Sequence, residues 1–122
     1  MQIANLGELE QFVTLDGSGI RELAGPSWTA AEKQSLAEAT VPPGGATTKH
    51  YHRTTEEIYY FTSGTGRMQL GDEQSDVKAG DCVVIPPGVE HKIWADEAAP
   101  LVLLCACAPA YSDADTVLTE DI

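Results

Sequence analysis

The sequence predicts an all-β fold, an antiparallel sandwich or barrel with little helix. Three observations carry that prediction. First, 11 glycines and 7 prolines punctuate the 122 residues at short intervals. Second, the runs between them are short and rich in β-branched, aromatic and aliphatic residues, which suit a pleated, half-buried surface. Third, no alternation of helical and strand patterns occurs, so a parallel α/β sheet is disfavoured. The length suits one domain around one core. A hydrophobic content of 43% is ordinary for a folded protein and too high for a disordered one.

From the N-terminus, residues 1–16 carry acidic groups and no basic patch ahead of an apolar run. They do not read as a secretory leader, so a cytoplasmic location is expected. Turn signals follow at Gly17-Ser18-Gly19 and Gly25-Pro26. Residues 28–39 have a helical composition, dominated by Ala, Glu, Lys, Gln and Leu, and Thr29 and Glu32 sit at capping-box spacing. After Pro42-Pro43-Gly44-Gly45 come apolar runs over residues 58–62, 67–70, 82–85 and 101–108. Gly64-Thr65-Gly66, Gly71-Asp72, Gly80-Asp81, Pro86-Pro87-Gly88 and Pro100 supply the intervening turns. The acidic residues 112–122 read as a surface arm or frayed tail. No stretch approaches the length of a membrane span.

Two stretches, thirty residues apart, hold all three histidines. A strand alternates its side chains between two faces, so His50 and His52 point the same way. Glu57 lies a turn further on, and His91 follows the Pro86-Pro87-Gly88 corner. Three imidazoles and one carboxylate converging on a point make a site for one divalent transition metal. The donor mixture suits Fe, Mn, Ni, Cu or Zn. It leaves open coordination positions for water, O₂ or substrate. Parity across a turn does not choose between Glu56 and Glu57 as the carboxylate.

The spacing reads G-x₅-H-x-H-x₄-E-x₆-G, then G-x₅-P-x-G-x₂-H. It closely resembles the two motifs of the cupin superfamily, small single-domain proteins with a double-stranded β-helix, or jelly-roll barrel. Gly44, His50, His52, Glu57 and Gly64 match the first motif. Gly80, Pro86, Gly88 and His91 match the second. The family usually closes the second motif with Asn four residues after the histidine, and Ala95 stands there instead. The resemblance covers roughly residues 34–108. It implies an N-terminal arm over about residues 1–33, a barrel core over about 34–108 and a C-terminal acidic arm over about 109–122 of one domain. The six-residue interval to Gly64 favours Glu57 over Glu56. The register also needs a strand leading into Pro42, reconciled with the helical composition by a helical turn over residues 29–33 and a strand over residues 34–41.

Strand alternation proposes the surroundings of the ion. If Glu57 points inward, so do Tyr59 and Phe61, while Ile58 and Tyr60 face out. If His91 points inward, so do Val89, Ile93 and Ala95. Tyr59, Phe61 and Ile93 then either line a cavity or simply fill the core. Tyr59 is the candidate catalytic group, because its hydroxyl can bond a substrate or a metal-bound water. Trp28 is a candidate cap for the barrel mouth. Arg67 either holds an anion or sits on a solvated strand face.

Net charge is −12. Such a surface repels phosphate backbones and anionic membranes, so neither nucleic acid nor membrane is an expected partner. The cations Lys49, Arg53, Arg67 and Lys92 are few. Three cysteines without a leader do not make a disulfide framework. Cys105 and Cys107 face one side of a strand. Buried small apolar residues are the ordinary reading, and a redox pair or second metal site is the other. A disulfide between them is disfavoured, since their Cα atoms sit about 6.6 Å apart on an extended chain. No nucleophile triad, phosphate loop or dinucleotide fingerprint appears. The resemblance implies dioxygenases, sugar isomerases or epimerases, and lyases. The expectation is therefore a metal-dependent enzyme acting on a small organic molecule. A non-catalytic metal, sugar or small-ligand binding module is the alternative. Homodimerisation is likewise what the resemblance implies.

Overall fold

Burial alternates along the strands that wall the core. In residues 56–63 Glu57, Tyr59 and Phe61 are buried while Glu56, Ile58 and Tyr60 stay exposed, as the two-residue period requires. The structure, a computed structural model, describes residues 1–121. Its strands are β1 (Phe12–Val13), β2 (Gly19–Ala24), β3 (Ser35–Val41), β4 (His50–His52), β5 (Glu56–Ser63) and β6 (Thr65–Leu70). They continue with β7 (Glu73–Lys78), β8 (Cys82–Ile85), β9 (His91–Ala95), β10 (Leu101–Ala108) and β11 (Thr116–Leu118). Helix among the described residues is limited to 3₁₀ turns at Leu6–Glu8 and Asp113–Asp115.

The strands form two antiparallel sheets, ordered β1-β2-β3-β10-β5-β8 and β11-β4-β9-β6-β7. Face to face they make the expected jelly-roll barrel. Between them Phe61, Leu101, Leu103, Ile85 and Ile93 are almost wholly removed from solvent. Each such side chain contributes about 1.5–3 kcal/mol of burial. Gly64 turns β5 into β6 with φ +85°, and a Cβ there would lie 2.1 Å from the Pro100 carbonyl oxygen. Only glycine fits that turn.

The strand ending at Val41 is present, but the helical turn over residues 29–33 is not. The chain turns at residues 26–28 instead, and the Thr29 hydroxyl donates to the Gly25 carbonyl at 2.8 Å while accepting from the Gly25 N–H at 3.0 Å. Thr29 thus closes a turn rather than capping a helix. β3 lies between β2 and β10, so its backbone groups find partners on both sides. That pairing outweighs helix propensities worth tenths of a kcal/mol per residue. Residues 1–33, expected as an arm, contain β1 and β2, which extend one sheet. The expected C-terminal arm contains β11, which pairs with β4 in the other. None of these three strands alternates buried with exposed residues, so none carries the two-residue period.

Candidate metal centre

β4 carries His50 and His52 on one face, and β9 begins with His91 directly opposite His50. β5 then brings Glu57, not Glu56, to the same interior point. All four residues are between 1% and 3% exposed. One ligand atom from each falls within 4.8 Å of the others, so the cluster could hold a metal ion. Glu57 Oε1 lies 2.7 Å from His52 Nε2 and 3.1 Å from His91 Nε2. Despite these short approaches, none of these three atoms has an aligned hydrogen-bond partner. A buried polar atom without a partner costs about 1–3 kcal/mol. Three such atoms aimed at one another fit a cation.

The far nitrogens determine what the near ones can do. His50 Nδ1 lies 2.7 Å from the Thr48 carbonyl oxygen, and His91 Nδ1 lies 3.1 Å from that of Val89. A carbonyl only accepts, so each Nδ1 carries the hydrogen and each Nε2 keeps its lone pair. His52 Nδ1 lies 3.0 Å from Thr116 Oγ1. That hydroxyl already donates to the Ser112 carbonyl at 2.9 Å, so it accepts from His52. All three imidazoles therefore stand in the ligand tautomer. Burial, then the neighbouring His91, lowers the His50 pKa and favours the neutral ring. Burial opposes ionisation of Glu57; where His52 and His91 also carry a proton on Nε2, they outweigh it and hold the carboxyl well below its ordinary range.

The cluster opens onto a cavity of about 450 Å³. His50, His52, Glu57 and Tyr59 lie on its wall, and His91 sits behind them. Burial, then the Glu57 charge, pushes the Tyr59 hydroxyl well above the ordinary phenol range, so it keeps its proton. Phe61 and Ile93 do not line the cavity; they are packed in the core. Alternation correctly turned them inward, but the barrel interior divides into a filled half and an open half. Trp28 borders a separate surface groove with Gln2 and Ile3, so it does not cap the mouth. Arg67 is exposed and donates to Gln74 Oε1 at 3.1 Å, on the solvated face.

Several cavity residues escaped the sequence reading. Asp16 comes from the β1–β2 turn, where its Oδ1 accepts from Ser18 N–H at 2.9 Å, Ser18 Oγ at 2.6 Å and Thr14 Oγ1 at 2.8 Å. Its Oδ2 lies 3.8 Å from His50 Nε2. Thr14-Leu15-Asp16-Gly17-Ser18 signals a turn and nothing about where the turn lies. Tyr111 and the rim residues Phe12, Val13 and Leu15 also line the cavity. Cys105 and Cys107 face Tyr59 and Glu57 directly across the β10–β5 pair. Both are free thiols; Cys107 is buried as expected and Cys105 packs against the core, and both also border the cavity.

A model of the Cupin domain matches residues 37–107, more than half of the chain. A protein of Methanocaldococcus jannaschii, named Uncharacterized protein MJ1618, is 47% identical over 113 residues, covering 93% of this chain and 90% of its own. Among solved structures, the Streptomyces nucleoside dehydratase Pac13 superposes with a TM-score of 0.79 at 18% identity, over 100% of this chain and 92% of that one. A predicted oxalate decarboxylase from Thermotoga maritima gives 0.76 at 23% identity, over 89% and 99%. At such identities these structures share the fold alone. The motifs, the two facing sheets and the matched domain together place this chain in the cupin family.

Proposed function

We propose that this cupin is a metal-dependent enzyme of the lyase kind, acting on a small, uncharged or metal-neutralised organic molecule with oxygen donors. The observation that carries the proposal is the four-donor cluster at the end of a cavity open to ligand. His50, His52, Glu57 and His91 would hold one divalent transition ion. Such an ion supplies Lewis acidity toward substrate oxygens. No lysine or arginine lines the cavity among the described residues, so no side-chain cation is there to bind an anion. Asp16 Oδ2 is placed to accept a proton, because three hydrogen bonds to Oδ1 fix the carboxylate toward His50. Tyr59 holds its proton and donates a hydrogen bond to an oxygen that gains charge. Structural neighbours named a nucleoside dehydratase and a predicted oxalate decarboxylase motivate testing a lyase ahead of an oxygenase.

Metal analysis and a turnover screen over hydroxy acids, polyols and nucleosides test this reading. Wild-type protein is expected to carry one ion in the histidine cluster, and His91→Ala to lose it. Tyr59→Phe and Asp16→Asn are expected to keep metal and lose turnover by about 10²-fold or more. A cluster that takes up no divalent metal sinks the proposal, as does unimpaired turnover in both variants.

We further propose that the chain pairs with a second copy. Leu36, Ala106, Ile58 and Val84 form one row across β3, β10, β5 and β8 on the outer face of the larger sheet. Leu36, Ile58 and Val84 are 38–52% exposed there. An apolar row of this kind marks an interaction surface. Sedimentation equilibrium is expected to give a dimer for wild type and a monomer for Ile58→Glu. A monomeric wild type overturns the assignment.

A further inference from the structure

A second donor set adjoins the first. Glu57 turns Oε1 toward His52 and His91, while its Oε2 accepts from Cys105 Sγ at 2.8 Å and Cys107 Sγ at 3.4 Å. The two sulfurs are 3.5 Å apart. These three ligand atoms also lie within 4.8 Å of one another, as a group separate from the histidines. We infer that Glu57, Cys105 and Cys107 form a second metal site, for a thiophilic divalent ion of the zinc or cadmium kind, with Glu57 shared between the two centres.

The geometry suits ligation better than a sulfur–sulfur bond. Two thiolates on one tetrahedral zinc ion, each at about 2.3 Å, stand about 3.8 Å apart. The observed separation needs only a few tenths of an ångström of adjustment. A disulfide needs about 2.05 Å between sulfurs, and residues two apart on a strand hold their Cα atoms near the upper limit of its span. Carboxylate-bridged ions in two-metal sites sit about 3.5–4 Å apart, within reach of the two oxygens of one glutamate. Charge also balances. As each metal–sulfur bond forms, the corresponding S–H bond breaks and its proton leaves to solvent, with no electron transferred. Two thiolate charges then offset the charge of the added ion, so the buried centre gains none, which avoids the main cost of burying an ion. Both thiols line the cavity, which gives the ion an entry path and leaves a coordination position facing the space that a ligand would occupy. The site shares Glu57 with the histidine cluster but does not require that cluster to be filled.

The test is a cadmium titration of the full-length, reduced, metal-stripped protein. Wild type is expected to bind two ions per chain and to develop sulfur-to-cadmium absorption in the ultraviolet. Cys105→Ser/Cys107→Ser is expected to bind one ion without that absorption. His50→Ala/His91→Ala is expected to bind one ion and retain it. Wild type that binds a single ion with the thiolate absorption leaves the dithiol site standing and removes the histidine one, so the two readings fail separately. No thiolate absorption in wild type overturns the inference. Should the serine variant misfold, alkylation of wild type serves instead. Saturating zinc is expected to slow modification of Cys105 and Cys107 by about tenfold or more, also in the His50→Ala/His91→Ala background, and unchanged rates count against the site.

Discussion

At the scale of single residues, protonation governs the centre. The His50 pKa is lowered from its ordinary 6.5 by burial first and by His91 next. The unfolded chain therefore binds the proton more readily than the fold does. Stability from this residue is present above pH 6.5 and lost as pH falls through the lowered value. Glu57, held below its ordinary 4.5, acts in the same sense at more acid pH. These two groups lower the melting temperature of metal-stripped protein as pH falls from 7 to 4, against the opposing pull of Glu22, whose pKa burial raises. A melting temperature that rises on acidification contradicts the assignment of a neutral His50. Metal affinity should weaken over the same range, because ligation requires unprotonated imidazole. The four donors were legible in the sequence because strand period and motif interval are local properties. Asp16 was not, because it meets the centre only through a distant turn; the two thiols were legible as a same-face pair, and only their seat against Glu57 depended on a distant strand.

At the scale of elements, β11 matters more than its three residues suggest. It pairs Thr116 with His52, and the Thr116 hydroxyl fixes the His52 tautomer. Thr116→Val removes that acceptor at nearly constant volume. It is expected to weaken metal binding by about 10-fold, measured by competition with a chelating dye, with little change in circular dichroism. An unchanged affinity would show that β4 orients His52 unaided. The acidic tail had no periodic pattern to announce this strand. The opposite error arose at residues 29–33, where composition favoured helix while the neighbouring strands decided for a turn and a strand.

For the molecule as a whole, the barrel is a filled half supporting an open one. Phe61 is fully buried in the filled half, two residues along β5 from Tyr59. Phe61→Ala is expected to cost about 3–5 kcal/mol in urea unfolding, by lost transfer energy and an unfilled cavity. The four donors do not include Phe61, so metal stoichiometry should survive wherever the variant remains folded. Loss of metal with stability intact would mean that the two halves are coupled more tightly than their packing implies.

Local pattern was enough for the all-β architecture, most strand positions and the four converging donors, because alternation, turn chemistry and motif spacing act within a few residues. Tertiary structure decided the rest. It chose which inward side chains border space and which fill the core, seated Asp16 and Thr116 beside the histidines, and set Cys105 and Cys107 against Glu57. Those placements depend on which strands become neighbours, as β10 does with β5 across a separation of about 50 residues. Burial against a partner strand is a property of the pair, and neither strand's residues state it alone.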